Sequence, residues 1–473
     1  MGARASRRSV VRFVGRASLN RVNSRRRPCH PKQCHDIPAC PRAAFHRLWT
    51  GCWIACYLLL AAGSVALAQE PVTITLYYRA DGVAEKWIEE FEALYPHINV
   101  EFQARPGSGW EDQLLAQMIS GTAPDVFEFW GAFGRQLEQR GLLLNLTPYV
   151  ERDFTQEEIA DFYPAVWESS FTRFGPRAGS QYRMPRYINV MVMYYNIDDF
   201  QEAGLMDPAQ LDQLGEWTWE MFRQSARKLT VRDAAGEITR YGVSLGISSV
   251  PRMLNWIWGA GGDLLDPNDP TRFIGHQDEA KLGARFLQEM IWEEEIAAPV
   301  HSATYFLQGR VSMLDDGMSE AFRLYNNSTG LFDMDVIRRP AGPAGRWSYL
   351  VDDSFGIWSG TPHPEEAWLL VRFLVSRKGQ EILIANSGLP PVRRSASQAY
   401  FDLVPGYNLR AFADAVVESR PTIYSRMTGD IAQIDSAFWE LFNLSIRSNQ
   451  YAYDVAVDMI RPRIEALLGR PAE

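Results

Sequence analysis

No cysteine occurs after residue 56, and this absence limits the fold of the whole body of the chain. Cys29, Cys34, Cys40, Cys52 and Cys56 all fall in the first 56 residues. The 405 residues from Gln69 onward can form no disulfide, so they must be held together by a large apolar core. Thirteen Trp, eighteen Tyr and twenty-two Phe in that stretch supply the material, and a chain this long divides most naturally into two lobes.

The cysteine-bearing stretch reads as an export signal. It holds 12 of the 48 Lys and Arg but a single acid, Asp36. An apolar run from Trp53 to Ala62 and a small-residue site, Ala66-Leu67-Ala68, complete it. A basic region, an apolar region of roughly 10 residues and an A-x-A site predict a secretory signal, residues 1–68, cleaved near Gln69. The run falls short of the roughly 20 apolar residues that span a bilayer. The basic region is longer than such signals usually have, as a start assigned too far upstream would make it. With His30 and His35 the cysteines could suggest zinc, but a discarded leader explains them without a metal. Without residues 1–68, 36 basic side chains face 56 acidic ones, a formal charge of −20. That surface repels nucleic acid and anionic lipid, so neither is expected as a partner.

Strand and helix patterns alternate through the body. Val72 to Tyr78 alternates and is rich in β-branched residues, which predicts a strand. Trp87, Ile88, Phe91 and Leu94 then keep helical spacing until Pro96. Ile98 to Phe102 is a second strand, Asp112 to Ile119 a helix, and Val126 to Phe129 a third strand. Ile188 to Tyr195 reads as a buried strand, Trp217 to Leu229 and Asp278 to Glu295 as helices. Ser436 to Ser445 and Ala452 to Leu468 close the chain as amphipathic helices. Such alternation implies a largely parallel sheet covered on both faces, with ligands beyond the carboxyl ends of the strands.

Short motifs add an ordered pattern. Ser120-Gly-Thr-Ala-Pro-Asp-Val126, Tyr182-Arg-Met-Pro185, Tyr194-Tyr-Asn196 and Trp217-Thr-Trp-Glu220 come first. Trp258-Gly-Ala-Gly-Gly262, Phe306 to Met313, Glu365-Glu-Ala-Trp368 and Gly388-Leu-Pro-Pro391 come after them. In this order they resemble extracellular solute-binding proteins of the maltose-binding type, which serve sugar ABC importers. The resemblance implies an α/β, two-lobed periplasmic-binding-protein-like fold, with mixed, mostly parallel sheets joined by crossover hinge strands. By motif position, lobe one would combine 71–188 with 355–406, and lobe two 193–349 with 411–473. It further implies a monomeric exported protein, in the periplasm or at the outer face of the membrane. Its partners would be a carbohydrate and the transmembrane subunits of an ABC permease, with no cofactor, no metal and no catalysis.

Sugar recognition needs flat apolar faces for the ring and planar polar groups for the hydroxyls. Arg79 and Asp81 come directly after the first strand, and Glu128 and Trp130 end the third. Tyr187 and Asn189 fall in the first crossover by the resemblance. Trp256 and Trp258 precede the Gly-Gly turn, one expected on sugar and the other in packing. Asp316 comes after the strand around Val311. Asp352 and Asp353 stand in a crossover where relatives often have glycine. One of them could accept hydroxyl bonds, or pair with Arg79 or Arg393. Ser436-Ala-Phe-Trp439 resembles the maltodextrin-binding branch, where the tryptophan stacks on sugar; a core position on an amphipathic helix would suit Trp439 equally.

A glycoside hydrolase would need a comparable carboxylate pair, for which Glu128 and Asp353 could be cast. A polyol, glycerophosphodiester or peptide carrier is the other alternative. No G-x-S-x-G elbow occurs, and His97, His276, His301 and His363 are scattered without metal spacing.

Overall fold

The structure, a computed structural model, describes residues 71–351 and 353–469. The leader with its cysteines, and Asp352, lie outside the described residues. The strands are β1 (Val72–Arg79), β2 (Ile98–Arg105), β3 (Val126–Phe129), β4 (Met184–Pro185), β5 (Met191–Asn196) and β6 (Val231–Arg232). They continue as β7 (Ile238–Ser244), β8 (Val311–Gly317), β9 (Met334–Ile337), β10 (Ser348–Leu350), β11 (Ser354–Ile357) and β12 (Ser419–Pro421).

Among the described residues, two five-stranded sheets form, ordered β2-β1-β3-β11-β4 and β6-β7-β8-β5-β9, with β10 and β12 paired separately. Both large sheets are mixed. Mostly parallel pairing holds for β1 with β2 and β3, where helices carry the chain back between strands. It does not hold where β11 enters antiparallel to β3 and β4, nor in the second sheet, whose one parallel pair is β7 with β8. β11 comes directly from β10 and so enters the first sheet without a covering crossover helix.

Helix Val83–Leu94 covers the first sheet because Val83, Ala84, Trp87 and Phe91 recur on one face. Trp87 packs edge-on against Tyr78 at 5.1 Å and Phe355 at 5.7 Å, tying β1 to β11. The second sheet is covered by Trp219–Leu229, which closes on β7 at Gly242; a Cβ there would lie 2.1 Å from the carbonyl of Ala226.

Element boundaries differ from the sequence reading in one informative place. The helix expected over Asp278–Glu295 is α-helical only to Gln288 and continues as a π-turn over Glu289–Glu293. The closing helix Ile431–Phe442 ends in a similar π-turn, Asn443–Arg447. The two π-turns meet, with the Trp292 indole donating to the carbonyl of Ile446 at 2.8 Å. Among the described residues no helix is long and apolar enough to cross a membrane.

Candidate functional site

Register places Arg79 beside Arg105 at the carboxyl ends of β1 and β2, so two guanidinium groups leave the sheet together. They emerge into a cleft of about 1060 Å³. One wall is the carboxyl edge of the first sheet; the other is built by residues packed on the core of the second.

The floor of the cleft is a charge network. Glu128, on β3 and fully buried, accepts from Arg79 Nε at 3.1 Å and Nη2 at 2.9 Å, and from Arg105 Nε at 2.9 Å. Arg186, buried just beyond β4, lies 3.5 Å from the same carboxylate. It clasps Asp353 through Nε at 2.6 Å and Nη2 at 2.8 Å and donates through Nη1 to the Tyr78 hydroxyl at 2.6 Å. Its plane stands 4.6 Å from the Tyr187 ring and 5.4 Å from that of Tyr78. Burial alone would raise the carboxyl of Glu128, but Arg186, Arg79 and Arg105 outweigh it and hold the group below its ordinary range. Burial instead pushes Asp353 up, against the pull of Arg186.

Aromatic faces stand above this floor. Trp130 leaves β3 into the cleft, and Gly131, at φ +63°, makes the turn into helix Gly131–Gln139 that any side chain would strain. The Trp130 ring rests on Trp110 at 4.8 Å, with Arg105 at 5.2 Å. Tyr187 and Asn189 line the cleft on the segment between β4 and β5. Asn189 fits because residue 317 is glycine: a Cβ there would lie 2.3 Å from its Oδ1. Tyr349, Tyr424 and Trp439 face them from the other side. The Tyr424 hydroxyl donates to Asp435 at 2.8 Å, whose carboxyl is raised by burial. Arg447 covers the Trp439 ring at 4.5 Å.

The structure therefore brings Arg79, Trp130, Tyr187, Asn189, Asp353 and Trp439 to one cleft, with Glu128 directly beneath it. Other candidates lie elsewhere. Asp81 is exposed outside the lining, and its carboxylate accepts from the Val83 N–H at 3.1 Å at the start of a helix. Trp256 and Trp258 sit in helix Val250–Gly259, where every residue but Arg252 is buried. Trp256 is wholly buried, with Phe222 at 5.5 Å, Phe286 at 5.3 Å and Arg339 at 4.3 Å from its ring, so it is spent in the core. Asp316 is buried against Arg252 at 2.7 Å and His301 at 3.1 Å, away from the lining. Arg393, the alternative partner for Asp353, donates instead to the carbonyls of Val375 and Glu158.

Sequence reading missed Arg105, Tyr349, Tyr424 and Asp435. Arg105 had a usable signal, since it ends β2 as Arg79 ends β1. Tyr424 comes after a three-residue strand with no alternation to mark it.

The profile of the family described as bacterial extracellular solute-binding protein matches residues 79–381. A protein of Brucella abortus named as a binding protein is 24% identical over 386 residues, covering 79% of this chain and 88% of the relative. An ABC substrate-binding protein from Listeria monocytogenes, solved in complex with cycloalternan, superposes with TM-score 0.71 at 21% identity, over 85% of this chain and 100% of that one. The GacH receptor of Streptomyces glaucescens, solved unliganded and with acarbose, gives TM-score 0.68 at 18% identity, over 85% and 99%. At these identities the structural likeness speaks for the fold alone, a two-lobed α/β architecture with mixed sheets.

Proposed function

Because the chain belongs to the bacterial extracellular solute-binding protein family, we propose that it captures a carbohydrate in the cleft between its lobes and hands it to the permease of an ABC importer. One observation carries this reading. Aromatic rings stand on both walls of a single large cleft, Trp130 and Tyr187 on one and Tyr424 and Trp439 on the other, above planar charged groups. Rings cover the apolar faces of a sugar, while guanidinium and carboxylate groups match its hydroxyls. The structural relatives solved with cycloalternan and acarbose support the same class of ligand.

The lobes are taken as 71–188 with 355–406 and 193–349 with 411–473. Segment 186–190 joins β4 of the first sheet to β5 of the second and carries Tyr187 and Asn189, and Asp353 stands directly before β11. A ligand that bridges both walls binds the closed arrangement more tightly, and that difference drives closure about this segment. The closed monomer then meets the permease at the outer face of the membrane.

The protein acts here without catalysis. A hydrolase needs one carboxyl that gives a proton and another free to attack or to activate water. Glu128 is held ionised by arginines, and Asp353 is clasped through both oxygens. A thermal-shift screen against mono- and oligosaccharides tests the proposal, since binding raises the melting temperature with affinity and concentration. Carbohydrates are expected to raise it. A shift with polyols, glycerophosphodiesters or peptides alone, or release of sugar product during incubation, contradicts the proposal.

A further inference from the structure

Among the described residues, three guanidinium groups meet at the floor of the cleft, with Glu111, Asp112 and Asp435 elsewhere in its lining. Arg79, Arg105 and Arg186 converge there on two carboxylates, Glu128 and Asp353. Arg186 is satisfied: all three of its nitrogens have acceptors. The other two are not. Arg79 spends Nε and Nη2 on Glu128, with Nη2 also 3.9 Å from Asp353, and its side chain remains 33% exposed. Arg105 donates Nε to Glu128 and Nη1 to the Pro106 carbonyl, which leaves Nη2. A guanidinium held in a partly desolvated cleft is costly where its donors lack acceptors, and Arg79 Nη1 and Arg105 Nη2 have none among the described residues.

The aromatic walls point the same way. Trp130, Tyr187 and Trp439 each have a guanidinium over the ring, from Arg105 at 5.2 Å, Arg186 at 4.6 Å and Arg447 at 4.5 Å. A cation on one face of a ring draws down the negative potential of the other. Those platforms disfavour a cationic ligand and tolerate an electron-rich one.

We infer that the ligand is an acidic sugar, a uronate-type saccharide whose carboxylate is received by Arg79 and Arg105 at the ends of β1 and β2. This rests on the carbohydrate reading above. A carboxylate can accept from Arg79 Nη1 and Arg105 Nη2, one oxygen to each, in a pair of charge-assisted hydrogen bonds. A phosphate dianion fits less well. Glu111, Asp112 and Asp435 also line the cleft and, among the described residues, form no ion pair with these arginines, so extra negative charge on the ligand is repelled.

The test is calorimetric titration of the protein with glucuronate and galacturonate mono- to trisaccharides. The same sugars with the carboxyl reduced to CH2OH, and galactose 6-phosphate, serve as comparison. At least one uronide is expected to bind tenfold or more tightly than its reduced form, with affinity falling as NaCl rises while that of any neutral sugar stays level. Arg105→Gln and Arg79→Gln should each erase most of that preference, and the salt dependence of the unaltered protein reads the same interaction if either variant fails to fold. Neutral sugars binding as well as uronides overturn the inference and leave the carbohydrate reading intact. A preference for the phosphorylated sugar overturns the carboxylate assignment. Binding of no sugar in any arm overturns both.

Discussion

The two walls of the cleft are built by different means. On the first-sheet side, the cleft residues stand at strand ends: Arg79 closes β1, Arg105 closes β2, and Trp130 directly follows β3. Opposite them, Tyr424 sits on a short turn after β12, and Asp435, Ser436 and Trp439 come from one side of helix Ile431–Phe442. A strand end is fixed by backbone pairing, so a residue there points where the sheet aims it. A helical residue faces the cleft only if the opposite face of its helix is held elsewhere. Ile434, Ala437, Phe438 and Leu441 do this for Trp439 by filling the core. Asp435 and Ser436, four and three positions before Trp439, share its face. One wall is set by strand ends and carries the arginines; the other is set by helix packing.

Substitutions separate the two. Glu128→Gln should have the largest effect, because it leaves three guanidinium groups facing one carboxylate in a buried site. A loss of about 3–5 kcal/mol is expected for breaking such a network, measured by denaturant unfolding, with ligand affinity falling alongside. Trp256→Ala should cost a similar amount, about 3–5 kcal/mol, as a core tryptophan removed. In the fraction that stays folded, however, ligand affinity should hold, since this wholly buried ring is spent in the core. Trp439→Ala should do the reverse: calorimetry should show affinity lower by about tenfold, roughly 1.4 kcal/mol, with little change in melting temperature. If Trp439→Ala unfolds the protein and Trp256→Ala abolishes binding, the roles assigned to the two rings are exchanged.

Acid unfolding separates buried charge from ligand site. Burial opposes the charged form of Asp316, but Arg252 and His301 outweigh it and hold the group below its ordinary 3.8. A carboxyl depressed in the folded state stabilises above its unfolded value and loses that contribution as pH falls through its folded value. Stability should therefore drop below about pH 4, and less steeply there in Asp316→Asn. The smallest effect belongs to Asp81→Ala, which removes one bond to a helix-start N–H. About 0.5–1 kcal/mol is expected, with unchanged affinity, because Asp81 lies outside the cleft.

Much of the first-sheet wall was legible because strand alternation is a local signal. Val72 to Tyr78 and Val126 to Phe129 could be placed from their own residues, and the residues just past a parallel strand face the ligand edge. The same rule reached Arg79 and Trp130 and would have reached Arg105 had β2 been read to its end. Trp256 and Trp258 misled because the Gly259-Ala-Gly-Gly262 turn after them draws attention to a loop. The run Val250 to Gly259 is apolar on almost every side, which is the pattern of a buried helix, and that periodicity outweighs the turn. Nothing local marks Tyr349, Tyr424 or Asp435, which meet the cleft only once distant segments pack together. The pairing of Asp353 with Arg186, 167 positions apart, was equally out of reach.

Hydrogen–deuterium exchange, with and without the carbohydrate that raises the melting temperature most, tests the central claim most directly. Slower exchange is expected on both walls together: around residues 79, 105–112 and 130–136 on one, and 422–439 on the other. The passages 186–190 and 349–353 should slow with them. Protection confined to one wall, or centred on helix Val250–Gly259 and away from the cleft, would contradict that claim.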